Sequence, residues 1–317
     1  MNKKLLIVGV SAYDAIQSPF GSVDRILGGS GIYSAFAASY FQKNLGLVSI
    51  VGEDFEASDL NLLKKHHINL DGMEQVPEAK TFFWSGEYHN DLNTRTTLET
   101  QLNVLTQFEP KVPISFRDAE VVFLANLHPA LQCQTLDQLD KRPELIIMDT
   151  MNYWIENNWD ELLVALKRVD VLSINDEEAR QITGEYSLVT AAQKIQQMGP
   201  KFVIIKKGEH GALLFHNQQV FAAPALPLKD VLDPTGAGDS FAGGFAGYLA
   251  SQQSFGFDQL KTAIIYGSTL ASFAVEAFGP ERLLAIRPEE LQQRLMTFQQ
   301  LTQFDIMLQA EAKATNL

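Results

Sequence analysis

Cysteine is nearly missing from this chain: Cys133 is the only one in 317 residues. No intrachain disulfide can form and no cysteine-based zinc cluster can be built, a composition that suits a reducing compartment. Positive charge is in deficit too, with 25 Lys and Arg against 38 Asp and Glu and a formal net charge of −13. Polyanion-binding surfaces draw on clustered basic side chains, so no nucleic-acid partner is expected. A small anionic nucleotide remains admissible, because local amides and Mg2+ outweigh net charge. No apolar run approaches the ~20 residues of a membrane span, and no membrane partner is expected. The start, Met1-Asn-Lys-Lys ahead of Leu5–Val10, imitates the basic and apolar regions of a signal peptide. Its apolar stretch is short and runs on to Asp14, which the fold needs, so a cytoplasmic location is expected. Two phosphate-binding fingerprints are absent as well. The chain holds no Gly-x-x-x-x-Gly-Lys-Ser/Thr, and the third glycine of a dinucleotide fingerprint counted from Gly236 falls on Phe241.

A hydrophobic content of 46% is enough to bury a large core. Short apolar runs alternate with amphipathic segments, the pattern of a largely parallel sheet covered on both faces by helices. The runs predict strands at Leu5–Val10, Leu47–Val51, Val121–Leu124, Leu145–Met148, Val171–Ile174 and Phe202–Ile205. Helices are predicted at Ser30–Phe41, Ala57–His66, Trp159–Lys167, Asp176–Ile182, Val189–Met198, Asp239–Ala250, Asp258–Glu276 and Pro288–Gln303. Residues 70–110 break this rhythm. They hold the strand pattern Thr81–Tyr88 and a polar stretch from His89 to Glu99, which reads as a lid inserted into the core or as a surface hairpin. The tail from Thr302 to Leu317 is polar and alanine-rich and is expected to fray.

The densest chemistry lies in Asp233-Pro-Thr-Gly-Ala-Gly-Asp239-Ser-Phe. Gly236 and Gly238 let successive N–H groups converge on an anion, and the helix that follows adds unpaired donors and the positive end of its dipole. The amides of Gly236, Ala237 and Gly238 are the expected anion hole. A carboxylate beside such a hole can take the proton from a substrate hydroxyl while the hole holds phosphates, so Asp239 is the expected general base. The plainer reading is a loop closed by glycines with Asp239 as helix cap.

This segment resembles the C-terminal signature of the ribokinase-like carbohydrate kinases, also called the PfkB family. The resemblance implies a single α/β domain over 1–317, a three-layer sandwich with a mostly parallel central sheet. It also implies a small β-sheet lid from about 70–110 with a contribution from 11–27, closing over a sugar and supplying a homodimer contact. ATP and Mg2+ are implied as cofactors, with K+ at a site that Asp233 and Thr235 match.

Further landmarks recur in order. Asp14 follows the first strand, where open α/β sheets bind ligands, and the resemblance makes it a sugar contact. Gly28-Gly29-Ser30-Gly31 resembles the N-terminal glycine signature, where backbone passes close to the substrate. The chain departs from the family there: Tyr33 stands where an asparagine is usual and Ser30 where true ribokinases carry lysine, which puts ribose itself in doubt. Arg95, Phe83 and Trp84 fall in the expected lid, and an aromatic face there could stack on a sugar or base. Asn126, His128, Asp149 and Asn152 follow strands and read as substrate or phosphate contacts or as caps. Asn175-Asp-Glu-Glu178 resembles the family motif that positions Mg2+ through water, and reads equally as a capping box. Lys206-Lys207-Gly208-Glu-His-Gly211 resembles the turn that contacts ATP phosphates or ribose in the family, and Gly279 ends a segment that lies by the nucleotide there.

The function expected is phosphoryl transfer from ATP to a primary hydroxyl of a sugar or sugar-containing molecule. A nucleoside kinase of the same fold is the alternative within that class, and a non-catalytic sugar- or nucleotide-binding module the alternative outside it.

Overall fold

The computed structural model describes residues 3–90, 92 and 94–303, so the tail expected to fray lies outside the described residues from position 304 on. The strands, in chain order, are β1 (Leu5–Val8), β2 (Ala12–Ser18), β3 (Gly21–Gly28), β4 (Leu45–Gly52), β5 (Ile68–Val76), β6 (Phe82–Tyr88), β7 (Arg95–Gln101), β8 (Val121–Leu124), β9 (Leu145–Asp149), β10 (Val171–Asn175), β11 (Phe202–Lys206), β12 (Ala212–His216) and β13 (Gln219–Ala223). The helices are α1 (Ser30–Ser39), α2 (Ala57–Lys65), α3 (Pro129–Asp137), α4 (Asn152–Asn157), α5 (Trp159–Leu166), α6 (Asp176–Thr183), α7 (Leu188–Met198), α8 (Ala237–Ala250), α9 (Phe257–Ala274), α10 (Glu281–Leu284) and α11 (Pro288–Thr302).

The larger sheet runs β13-β12-β11-β10-β9-β8-β1-β4-β5. Every pair from β11 to β5 is parallel, and β12 and β13 close one edge antiparallel. Its central strands are apolar on both faces because successive side chains point to opposite sides. Leu5, Ile7, Phe123 and Ile147 enter a core shared with α1, α8 and α9. Leu6, Val8, Leu124 and Met148 enter a second core shared with α5, α6 and α7. A helix layer therefore covers each face, the three-layer arrangement the alternation predicts.

The smaller sheet has the order β3-β2-β6-β7, with β2 and β6 parallel and both outer pairs antiparallel. It draws on both stretches expected to form a lid, with one difference. Ile68–Val76 pairs with β4 as the edge of the larger sheet, because its alternate residues pack on the main core. One face of the smaller sheet carries Tyr13 and its lateral partner Phe83, and Tyr13 stacks toward Phe55 at 5.5 Å. The opposite face carries Asp14, beside Trp84 of β6 and Ile26 of β3.

Two bonds join this sheet to the loop before α8. The Ser18 hydroxyl donates to the Leu232 carbonyl at 2.8 Å, and the Thr235 hydroxyl donates to the Tyr88 phenol oxygen at 3.2 Å. Ile26 packs beneath Gly279, where a Cβ would lie only 2.4 Å from its Cδ1. Among the described residues no helix is long and apolar enough to cross a membrane.

Candidate active site

The C-terminal ends of the parallel strands and the N-terminus of α8 converge on one hollow, the place where open α/β sheets present ligands. Helix α8 begins at Ala237, two residues before the position the sequence suggests, and Gly236 caps it with φ of 73°. That left-handed conformation is cheap only for glycine. It closes a turn in which the Ala237 N–H donates to the Pro234 carbonyl at 3.1 Å. This turn involves one of the three amides expected to form the anion hole. Ala237 has spent its N–H on the turn, whereas the N–H groups of Gly236, Gly238 and Asp239 have no acceptor among the described residues.

Asp239 sits in the first turn of α8, partly accessible, with its carbonyl accepting from the Ser34 hydroxyl at 3.1 Å. Burial, then the charge of Asp149, pushes its carboxyl up to about 6, against the opposing pull of Lys206 and Arg95. Asp14 lies buried across the hollow, and burial with the charges of Asp233 and Asp239 raises it to about 8 although the Gly29 N–H supports its anion. Gly28 must lack a side chain here, since a Cβ would fall 2.0 Å from Asp14 Oδ2.

Asp233 accepts from the Thr235 N–H at 2.8 Å and from the Gly279 N–H at 3.2 Å, tying the loop before α8 to the segment after α9. Glu276 anchors that segment to α10 and α11 through Arg282 and Arg294. Tyr33 lies under the same loop, its ring so close to Gly236 that a Cβ there would come within 2.5 Å. Its hydroxyl is buried without a hydrogen-bond partner, and burial with the charges of Asp14, Asp233 and Asp239 holds it well above the usual phenol value.

On the nucleotide side expected from the sequence, Asn175 and Glu178 form the capping box of α6. Asn175 Oδ1 accepts the Glu178 N–H and Glu178 Oε2 accepts the Asn175 N–H, each at 2.8 Å. Burial, then Asp149, raises Glu178 to about 7, with Lys206 opposing. Lys206 bonds Asp149 Oδ2 at 2.9 Å.

Residues 5–285 match the pfkB family of carbohydrate kinases. The chain belongs to this family. It is similar to the cytidine kinase of Thermococcus kodakarensis, 31% identical over 249 residues that cover 77% of this chain and 88% of that one. It is also similar to a nucleoside kinase of Methanothermobacter thermautotrophicus, 27% identical over 298 residues, 88% of this chain and 92% of that one. The solved structure of Arabidopsis thaliana ribokinase complexed with ribose and ATP shares the fold at a TM-score of 0.73 and 20% identity, over 93% of this chain and 99% of that one.

Within the pfkB frame some expected site residues stand apart. Asn126 accepts from the Trp154 indole N–H at 2.9 Å and donates to Met151 Sδ at 3.2 Å, so each end of its amide has a side-chain partner. His128 caps α3 through Nδ1 and the Ala130 N–H, and Asn152 opens α4. Phe83 packs on the core, whereas Trp84 lies against Gly86 on the Asp14 face. Gly208 and Gly211 shape the tight turn after β11, in which the Lys207 N–H donates to the Gly211 carbonyl at 2.8 Å. Arg95 is exposed on β7 opposite Tyr88, and its charge reaches both Asp239 and Glu178. Sequence reasoning assigned no role to Tyr88 or Ser18, whose bonds connect the smaller sheet to the loop before α8 across more than a hundred residues; no local signal marks such pairs.

The donor set suits a metal that arrives hydrated with phosphates. Asn175 Oδ1 and Glu178 Oε2 are engaged in the capping box, and among the described residues Glu178 Oε1 has no hydrogen-bond partner and no cluster of three His, Cys, Asp or Glu could hold an ion unaided.

Proposed function

We propose that the protein transfers the terminal phosphoryl group of ATP to a primary hydroxyl of a nucleoside's sugar, with Asp239 as general base. The observation that carries this reading is the first turn of α8, where a partly accessible carboxylate adjoins three N–H groups that have no acceptor among the described residues. Its carboxyl, poised at about 6, is largely ionised at neutral pH and still basic enough to receive a proton.

In the proposed reaction Asp239 accepts the hydroxyl proton as the substrate oxygen bonds to the γ-phosphorus. The bond from that phosphorus to the β,γ-bridging oxygen breaks, and ADP leaves with the electron pair. The free N–H groups of Gly236, Gly238 and Asp239 stabilise the charge on the phosphoryl oxygens, the kind of fixed-dipole support on which phosphoryl transfer depends. Asp14 accepts hydrogen bonds from other hydroxyls of the sugar, with Gly29 steadying it. Asn175 and Glu178 would hold Mg2+ through water, and the ion would neutralise phosphate charge when bound. Arg95 brings a further cation from the smaller sheet, which acts as a lid. Asp233 and Thr235 as a K+ site belong to the same proposal and are tested by replacing K+ with Na+.

The nucleoside is favoured over a simple sugar by Trp84. Its indole lies against Gly86 on the face that carries Asp14, in lateral register with Asp14 itself, so a flat ring attached to a sugar held at Asp14 has an aromatic surface beside it. The long similarity to cytidine and nucleoside kinases supports the same choice. The test is product analysis by phosphorus NMR after incubation with Mg-ATP and cytidine, uridine, adenosine, guanosine, inosine, ribose or fructose. A nucleoside 5′-monophosphate is expected; turnover confined to free sugars would overturn the nucleoside assignment.

A further inference from the structure

The turn between β4 and α2 has no part in the reaction as set out above, yet with the first residues of α2 it grips the smaller sheet at three places. The Tyr13 hydroxyl of β2 donates to Asp59 Oδ2 at 2.6 Å and accepts from the Glu56 N–H, at the N-cap of α2, at 3.0 Å. The Arg25 guanidinium of β3 lies over the Tyr13 ring at 3.9 Å and donates to the Asp54 carbonyl at 3.0 Å. Asp54 Oδ1 accepts from the N–H and the hydroxyl of Thr81, the residue before β6, each at 2.7 Å. Burial, then the bond to Asp59, holds the Tyr13 phenol above its usual value, so it stays protonated and a donor.

Tyr13 is followed by Asp14. Successive residues of a strand point to opposite faces, so whatever fixes the phenol on one face fixes the carboxyl on the other. Such a hold is needed at this position. The charges of Asp233 and Asp239 oppose that of Asp14. The pairing of β2 with β3 also shifts register between Asp14 and Ile16, so the backbone ladder is interrupted just beyond Asp14. There is little room for a shift, since a Cβ on Gly28 would fall 2.0 Å from Asp14 Oδ2. The bond from Tyr13 to the Asp59 carboxylate is of the charge-assisted kind, shorter and stronger than a neutral one.

We propose that Tyr13 is a positioning residue: held to α2 through Asp59, it keeps Asp14 aimed at the hydroxyls of the acceptor sugar. The inference rests on the kinase reading and adds to it a fixed point at the base of the smaller sheet, on the face away from the acceptor. The bonds at the far end of β2 and β6, from Ser18 to Leu232 and from Thr235 to Tyr88, are neutral and weaker. They can break and re-form as the acceptor passes while Asp14 stays in place.

The test measures steady-state kinetics with Mg-ATP and the best acceptor of the nucleoside panel above. Tyr13→Phe keeps the ring and loses both bonds of the hydroxyl. It is expected to raise the acceptor KM about tenfold, with kcat and the KM for ATP little changed. Asp59→Ala is expected to raise the acceptor KM too, and Asp59→Asn, whose amide oxygen still accepts from the phenol, to restore most of the affinity. In an Asp14→Ala background, where no carboxyl is left to aim, Tyr13→Phe is expected to change kcat/KM for the acceptor by less than about twofold. Hydrogen exchange is expected to quicken over Ala12–Ser18 in Tyr13→Phe. If the loss in kcat/KM is the same with and without Asp14, or if Tyr13→Phe melts lower but keeps its acceptor KM, Tyr13 is a structural residue and the proposal is overturned. If wild type turns over no acceptor, the kinase reading fails on its own and hydrogen exchange decides the rest: quickening confined to β2 supports the hold on Asp14, and unchanged exchange overturns it.

Discussion

The Thr235 hydroxyl donates to the phenol oxygen of Tyr88 at 3.2 Å, so the loop that enters α8 is bonded directly to the smaller sheet. With the Ser18–Leu232 bond, it holds Asp14 of that sheet within electrostatic reach of Asp233 and Asp239. A cleft of about 800 Å3 opens beside the junction, between the β2–β3 hairpin and the end of β6, with Tyr88 in its wall. In the proposed reaction this junction is where closure of the sheet is communicated to the base.

Tyr88→Phe keeps the ring and removes the acceptor of the Thr235 hydroxyl. A neutral hydrogen bond contributes about 1 kcal/mol, so the acceptor KM is expected to rise about fivefold. Steady-state kinetics with thermal melting checks this; an unchanged KM would show that the bond does not bear on substrate binding.

Gly236 and Gly184 offer a matched comparison. Both are left-handed, with φ of 73° and 70°, but a Cβ at Gly236 would meet the Tyr33 ring at 2.5 Å while one at Gly184 would meet nothing within 4 Å. Gly184→Ala is expected to cost about 1 kcal/mol from backbone strain alone. Gly236→Ala adds overpacking of about 1–3 kcal/mol and should also lower kcat. Urea denaturation ranks the two, and equal losses would contradict the contact assigned to Tyr33.

Asp14 makes stability depend on pH. Its carboxyl is raised from 3.8 to about 8, so the folded chain keeps a proton that the unfolded chain releases. The stability this group contributes is complete below pH 3.8 and is lost as pH rises to about 8. Asp14→Asn has no charge to bury. It is expected to melt above wild type at pH 8, by a margin that shrinks toward pH 4, and to bind the acceptor less well. A margin independent of pH would contradict the assignment.

The parts of the site that were legible in the sequence are those made by one contiguous segment. The glycine turn and Asp239 could be read because a turn, a helix start and a carboxylate within seven residues state their own chemistry. The apolar strands were legible too, but that criterion stops one residue short where it matters. Leu145–Met148, Val171–Ile174 and Phe202–Ile205 each extend by one polar residue, to Asp149, Asn175 and Lys206, and these residues face the site. Strand β13 escaped notice because it lies at the sheet edge and is mostly exposed, and β2 because Asp14 interrupts its apolar run. Asn126 looked like a substrate contact from its place after β8. Its engagement with Trp154, 28 residues on, is a tertiary fact that no local pattern carries.

The central claim is that the Asp239 carboxylate removes the hydroxyl proton. The most direct measurement is nucleoside-dependent ADP formation by wild type and Asp239→Asn with Mg-ATP, alongside nucleotide affinity in the same preparations. The account predicts a fall in kcat of at least about 100-fold with nucleotide affinity unchanged. Turnover retained by Asp239→Asn would contradict it and move the base elsewhere in the hollow.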